Sequence, residues 1–208
     1  GAKGITCFLV DKGTPGMNPQ PIHEKIGLRA QDTGEIYMEN VRVHKDQILG
    51  PIGKGFAVAM SALDNARFTV AAGCVGTAQA AYDIAKAHAK ERVQFGKVIA
   101  SRQLVQSLLA NMILNIELGR MLVWRAGWLK NKGVPNTRET SMAKYFCGEM
   151  VNKVCYDAMQ ILGGYSFSGE YALERMYRDS RINTLYEGTS QIQQLIIGNA
   201  ELGIPAFA

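Results

Sequence analysis

The sequence predicts a mainly α protein, an antiparallel four-helix bundle preceded by a partial antiparallel β domain. Three observations carry that expectation. Runs of β-branched and aromatic residues bounded by turn formers are confined to residues 1–50. From residue 51 onward, apolar residues recur three, four or seven positions apart through long segments. Short loops of Gly, Pro and Asn separate those segments, so successive helices fold back on one another.

In the β part, residues 5–10 (ITCFLV) and 35–43 (EIYMENVRV) read as strands, with turn chemistry at 13–16 (GTPG) and 32–34 (DTG). Two or three strands leave open sheet edges, so this β part is expected to be incomplete by itself. Residues 51–208 form the helical part. Its first helix carries Phe56, Met60, Leu63, Val70 and Cys74 on one stripe and breaks near Arg92. The second repeats Leu104, Leu108, Met112 and Ile116 at every fourth position, and the third Phe146, Met150, Val154 and Ala158. All three stripes are expected in the core. The GVPNT stretch at 133–137 separates the second helix from the third, LGGY at 162–165 ends the third, and a last helix begins around Thr189. No internal repeat or low-complexity segment is present.

Composition narrows the function classes. With 208 residues, 47% hydrophobic and 20% charged, the chain can bury a sizeable core. No apolar run approaches the roughly 18 to 20 residues that span a bilayer, and the start, GAKGI, lacks a secretory layout, so a soluble intracellular protein without membrane attachment is expected. The formal charge of +5 suits an anionic ligand or an acidic partner. No run of five basic residues and no nucleic-acid signature occurs, so nucleic acid is not an expected partner. Cys7, Cys74, Cys147 and Cys155 form no CxxC pair and no Cys/His cluster. Neither a metal site nor a disulfide framework is expected, and the four read as reduced, mostly buried thiols.

The chemistry-bearing stretch is YEGTSQIQ at 186–193. It sets one carboxylate, Glu187, between the ring of Tyr186 and Gly188, just ahead of a helical pattern. Gly188 leaves room for a ligand to reach the backbone, and Thr189 and Gln191 offer hydrogen bonds at the helix start. Glu187 is then either a base or a solvated carboxylate favoured by the helix dipole. A second group is RVQFGK at 92–97, where Arg92 can pair with phosphate oxygens and Phe95 can stack on a heterocycle. Alternatively Arg92 is a cation at a helix C-terminus and Phe95 plugs the bundle end. Gln103, Gln160 and Gly164 are individually ordinary, and Asp64 and Arg67, three apart on one helix face, are by themselves a surface ion pair worth a few tenths of a kcal/mol.

Taken in order, the segments at 63–67 (LDNAR), 92–97 (RVQFGK), Gln103, 160–164 (QILGG), 171–179 and 186–193 (YEGTSQIQ) resemble the acyl-CoA dehydrogenase family over nearly the whole chain. That family consists of flavoproteins that introduce a trans double bond between the α and β carbons of an acyl-CoA thioester. The resemblance implies a tetramer whose subunits have an N-terminal helical domain, a middle β domain and a C-terminal four-helix bundle. Residues 1–50 are similar to the end of the middle domain and 51–208 to the bundle.

The resemblance also implies roles. Glu187 matches the base that takes the α-proton while hydride passes from the β-carbon to flavin N5. Arg92, Phe95 and Gln103 match positions reaching the FAD of a neighbouring subunit, and Gln160 and Gly164 match contacts to its dinucleotide portion from another protomer. Thr189 and Gln191 match contacts to the FAD facing Glu187, while Asp64 and Arg67 match positions near the CoA moiety, with Tyr186 and Gly188 beside the substrate. Some relatives carry the base just before the arginine matched by Arg67. That position here is Ala66, which cannot take a proton. Gln94 departs from the threonine frequent at its position. Implied partners are an acyl-CoA substrate, an electron-transfer flavoprotein and copies of the chain in a homotetramer. The setting is cytoplasmic in a bacterium or the mitochondrial matrix in a eukaryote. No counterpart of the family's N-terminal helices is present, so the chain is expected to be a fragment, inactive alone. An oxygen-using acyl-CoA oxidase and a DNA-associated non-enzymatic relative are the alternatives of other classes.

Overall fold

A computed structural model describes residues 1–206. The chain forms two compact units, Gly1–Asn65 and Ala66–Ala208. The first holds two pairings of strands. β1 (Cys7–Phe8) pairs antiparallel with β4 (Ile48–Leu49), and β2 (Met17–Pro21) with β3 (Gly34–Met38), in a register that sets Met17 opposite Met38 and Pro21 opposite Gly34. The strand expected over 5–10 shrinks to two residues, and that over 35–43 begins at Gly34 and ends at Met38. β2 escapes the sequence because Pro19 and Pro21 lack the donor that a ladder needs; a two-stranded sheet tolerates them because each strand keeps one edge unpaired.

The helical part is an antiparallel bundle of α1 (Gly55–Glu91), α2 (Gln103–Asn131), α3 (Thr137–Leu162) and α5 (Ser190–Leu202), with the short α4 (Ala172–Ser180) packed on α3. α1 stops one residue before Arg92, where the pattern placed the break. Between α1 and α2 lies a hairpin that the sequence suggested only as a turn, β5 (Val93–Gln94) with β6 (Lys97–Val98). Phe95 and Gly96 both have positive φ, 52° and 73°, as a two-residue hairpin turn requires. Gly133 (φ 68°) follows the end of α2 by two residues and Gly163 (φ 62°) caps α3, the glycines expected to punctuate them.

The core forms where α1 presents small residues. Ala71, Ala78, Ala81, Ala85 and Ala89 are fully buried, which lets the neighbouring helices approach closely. Met112 and Ile116 of α2 and Cys147, Met150, Val151, Val154 and Ala158 of α3 meet them. Two members of the expected stripes are exposed, Leu104 at 82% and Phe56 at 42%. A strict four-residue repeat advances about 40° per step around a helix of 3.6 residues per turn, so the end of the second stripe at Leu104 rotates off the core. Gly148 lets α3 sit against the chain near Asn183; a Cβ there would lie 2.7 Å from the Asn183 carbonyl oxygen. Cys74, Cys147 and Cys155 are buried and Cys7 is half-buried, all as free thiols. Among the described residues no helix is long and apolar enough to cross a membrane, and no three His, Cys, Asp or Glu side chains group as metal ligands.

Candidate functional site

Glu187 stands on the turn between a 3₁₀ segment (Arg181–Thr184) and α5. Its φ is +56° and that of Gly188 is +87°, so two consecutive residues are left-handed. For glutamate this conformation is costly and persists only where the surroundings impose it. Here they do. Arg67 Nε of α1 donates to the Glu187 carbonyl at 3.1 Å, Gln193 Nε2 of α5 to the same oxygen at 3.0 Å and to the Gly188 carbonyl at 3.1 Å, and Lys144 Nζ of α3 to the Gly188 carbonyl at 2.6 Å. Three helices thus grip two successive carbonyls. Arg67 is 6% exposed, so it is no surface cation, and Lys144 and Gln193 are 1% and 0% exposed.

The side chain of Glu187 is half-buried, and its Oε2 is buried without a hydrogen-bond partner among the described residues. A buried, unpaired carboxylate oxygen is expensive, and its presence calls for a functional reason. Around it, Thr189 caps α5 by accepting from the Ile192 amide at 3.3 Å, and Ser190 Oγ donates to Glu149 Oε1 at 2.6 Å. The Tyr186 hydroxyl donates to Asn183 Oδ1 at 2.8 Å. Burial, with smaller contributions from Cys74 and Glu187, pushes the Tyr186 phenol up, so it is a neutral donor at ordinary pH. Gln191 is exposed on the first turn of α5 and joins Glu149, Asn152, Arg181, Thr184, Leu185 and Ser190 around a polar pocket of 300 Å³. Asp64 is half-buried on α1, within the Gly1–Asn65 unit.

The second predicted group assembles elsewhere. The Arg92 guanidinium lies 5.3 Å over the ring of Tyr165, which also meets the rings of His88 and Tyr171. Gly164, beside Tyr165, has open space where a Cβ would stand, and Phe95 at the hairpin tip is 93% exposed. Gln160 and Gln103 are exposed, at the last turn of α3 and the first residue of α2. Arg102 Nη2, which the sequence did not single out, ties the hairpin by donating to the Gln94 and Phe95 carbonyls at 3.0 and 3.1 Å. From Arg67 to Arg92, α1 rises by about 37 Å, so within one chain the Arg92 group stands far from Glu187. An exposed ring, a guanidinium and a glycine without obstruction fit a ligand that carries a flat heterocycle and phosphates.

Lys144 and Gln193 also escaped sequence reasoning. The signal for Lys144 was present: it shares the α3 face of Cys147, Gly148, Val151 and Cys155, where every other side chain is small or apolar.

Residues 53–202 match the profile of the acyl-CoA dehydrogenase C-terminal domain. The chain belongs to this family. A caffeyl-CoA reductase-Etf complex subunit, CarC, of Acetobacterium woodii is 44% identical over 197 residues, covering 95% of the chain and 52% of the relative. The structure of butyryl-CoA dehydrogenase from Megasphaera elsdenii superposes with a TM-score of 0.94 at 39% identity, covering 97% of the chain and 53% of that structure. A structure described as PigA with FAD and proline gives 0.94 at 30% identity, over 98% of the chain and 53% of that protein. The chain therefore spans about half the length of the family members it matches.

Proposed function

We propose that the protein carrying this chain performs FAD-dependent α,β-dehydrogenation of an acyl-CoA thioester, with Glu187 as the base that takes the α-proton. One observation supports this above the others: Glu187 Oε2 is buried with no hydrogen-bond partner, on a left-handed turn held by buried side chains of three helices. A base must present a lone pair, free of competing donors, towards a weakly acidic C–H. The backbone N–H of Glu187 polarises the thioester carbonyl, which makes the α-proton easier to remove. FAD, when bound, supplies the acceptor for the hydride lost from the β-carbon.

On this proposal Thr189 and Gln191 hold the flavin facing Glu187, and Tyr186, Gly188 and Arg67 shape the acyl-CoA side. Asp64 contributes to CoA binding by analogy with the family. Arg92, Phe95, Gln103, Gln160 and Gly164 hold FAD belonging to other protomers. The 37 Å or so of helix between Arg67 and Arg92 supports this division, since one chain cannot bring both groups to a single flavin ring. Binding of FAD then depends on assembly, a homotetramer in the family pattern, with electrons passed to an electron-transfer flavoprotein.

A second direction of the same chemistry is favoured by the relative that is a caffeyl-CoA reductase-Etf complex subunit. Run in reverse, Glu187 returns a proton to the α-carbon of an enoyl-CoA. Anaerobic mixing of the FAD-loaded protein with butyryl-CoA tests the proposal. Loss of the visible flavin absorbance is expected; an unchanged flavin with saturated acyl-CoA, together with reoxidation of prereduced flavin by crotonyl-CoA, assigns the reductive direction instead.

A further inference from the structure

Lys144 is a lysine where an apolar residue belongs. It is 1% exposed, on the face of α3 that buries Cys147, Val151 and Cys155, yet it points its ammonium at the Gly188 carbonyl 2.6 Å away. Keeping such a group in the core is expensive. Burial pushes the Lys144 ammonium down from its ordinary range, and Arg67 beside it pushes the same way; Glu187 and Glu149 push it up. Cys74 also faces it, but burial holds that thiol up to about 12, so near pH 7 it contributes no negative charge. A polar side chain is thus retained in the core at a cost that packing alone does not explain, since an apolar side chain of similar volume avoids it.

The geometry supplies a reason. In a trans peptide the N–H points opposite to the C=O. Fixing the Glu187 and Gly188 carbonyls therefore fixes the 187–188 and 188–189 peptide planes, which flank Gly188 and set its left-handed backbone; the first of these planes also adjoins the Cα of Glu187. Arg67 donates to the first carbonyl, Lys144 to the second, and Gln193 to both. Without Lys144, the second plane loses its shorter bond, at 2.6 Å, and keeps the longer one from Gln193, at 3.1 Å. A Cβ on Gly188 would lie 2.7 Å from Gln193 Nε2, so the clamp also accounts for the glycine.

We propose that Lys144 is a positioning residue for proton abstraction: its buried side-chain nitrogen locks the peptide plane that follows Gly188, and thereby the left-handed turn that carries Glu187. The proposal rests on Glu187 being the base. The test uses the FAD-loaded protein with Lys144→Met, which keeps the length and removes the donor, and butyryl-CoA as probe. Exchange of the α-protons with solvent deuterium is expected to slow roughly 10- to 100-fold, as a misplacement on the order of 1 Å does, with KM changed less than about threefold. Amide hydrogen exchange across residues 186–190 should rise while that of α3 stays protected. Gln193→Leu, which weakens the same plane, should lose less than additively when combined with Lys144→Met. If Lys144→Met does not fold, Lys144→Gln carries the test: a shorter neutral donor should give an intermediate loss. Unchanged exchange rates at both the α-carbon and residues 186–190 would overturn the role of Lys144. Should Glu187→Gln keep full proton abstraction, the base assignment falls instead, whatever Lys144→Met does.

Discussion

Arg67 Nε donates to the carbonyl of Glu187 at 3.1 Å, joining the first bundle helix to a turn 120 positions later in the chain. Through this bond the helix that builds the core also sets the backbone of the candidate base. Gln193 and Lys144 complete the grip, so the site is part of the bundle packing and not a loop laid upon it.

Gly188→Ala should destabilise the protein by about 1–3 kcal/mol, through the positive φ and the displaced Gln193 amide. Thermal melting checks the loss. The same variant should slow α-proton exchange more than the stability loss alone explains, because the plane beside Glu187 moves.

Two bundle glycines should respond with opposite signs. Gly148→Ala brings a Cβ to 2.7 Å from the Asn183 carbonyl oxygen, and backbone at that distance cannot give cheaply, so a loss of about 1–3 kcal/mol is expected. Gly73 on α1 is exposed with nothing within 4 Å of an added Cβ. Gly73→Ala should stabilise by up to about 1 kcal/mol through helix propensity. Denaturant midpoints of the two variants measure both effects.

Much of this architecture was legible in the sequence. Helical periodicity and the glycines at 133 and 163 located the ends of α2 and α3 because those signals are local. The ends of the β strands were not legible, since pairing partners lie up to about 40 residues away and prolines at 19 and 21 mask β2. Arg92 and Gly164 lie 72 positions apart in the sequence; only the fold shows that Tyr165, next to Gly164, meets the Arg92 guanidinium. By spacing alone Arg67 resembles half of a surface pair, because three-residue spacing reports the helix face and not what packs on it. Lys144 stands out in the sequence only as a lysine on an apolar helix face, and the carbonyls that it and Gln193 hold carry no sequence signature.

The thiols give a pH dependence. Burial pushes Cys74, Cys147 and Cys155 up to about 12 from an ordinary 9.0. A group whose folded pKa is raised stabilises fully below its unfolded pKa and loses that contribution as pH rises through the folded one. Stability should therefore fall between about pH 9 and 12. Ultraviolet titration of thiolate should find these three protonated in the native protein across the lower part of that window and ionising near 9 in denaturant. Native-state ionisation of all of them near 9 would contradict their burial.

Arg92→Ala removes the guanidinium over Tyr165 at the end of α1, far from Glu187. FAD should dissociate more readily and the assembly should weaken, as seen by dialysis and analytical ultracentrifugation. With FAD in excess, α-proton exchange should recover towards the unmodified rate.

The most direct measurement is α-proton exchange of butyryl-CoA in deuterated solvent by the FAD-loaded protein carrying Glu187→Gln, which keeps size and hydrogen bonding but removes the base. With FAD still bound, exchange should fall by about 100-fold or more. Exchange at close to the unmodified rate would contradict the assignment of Glu187 as the base.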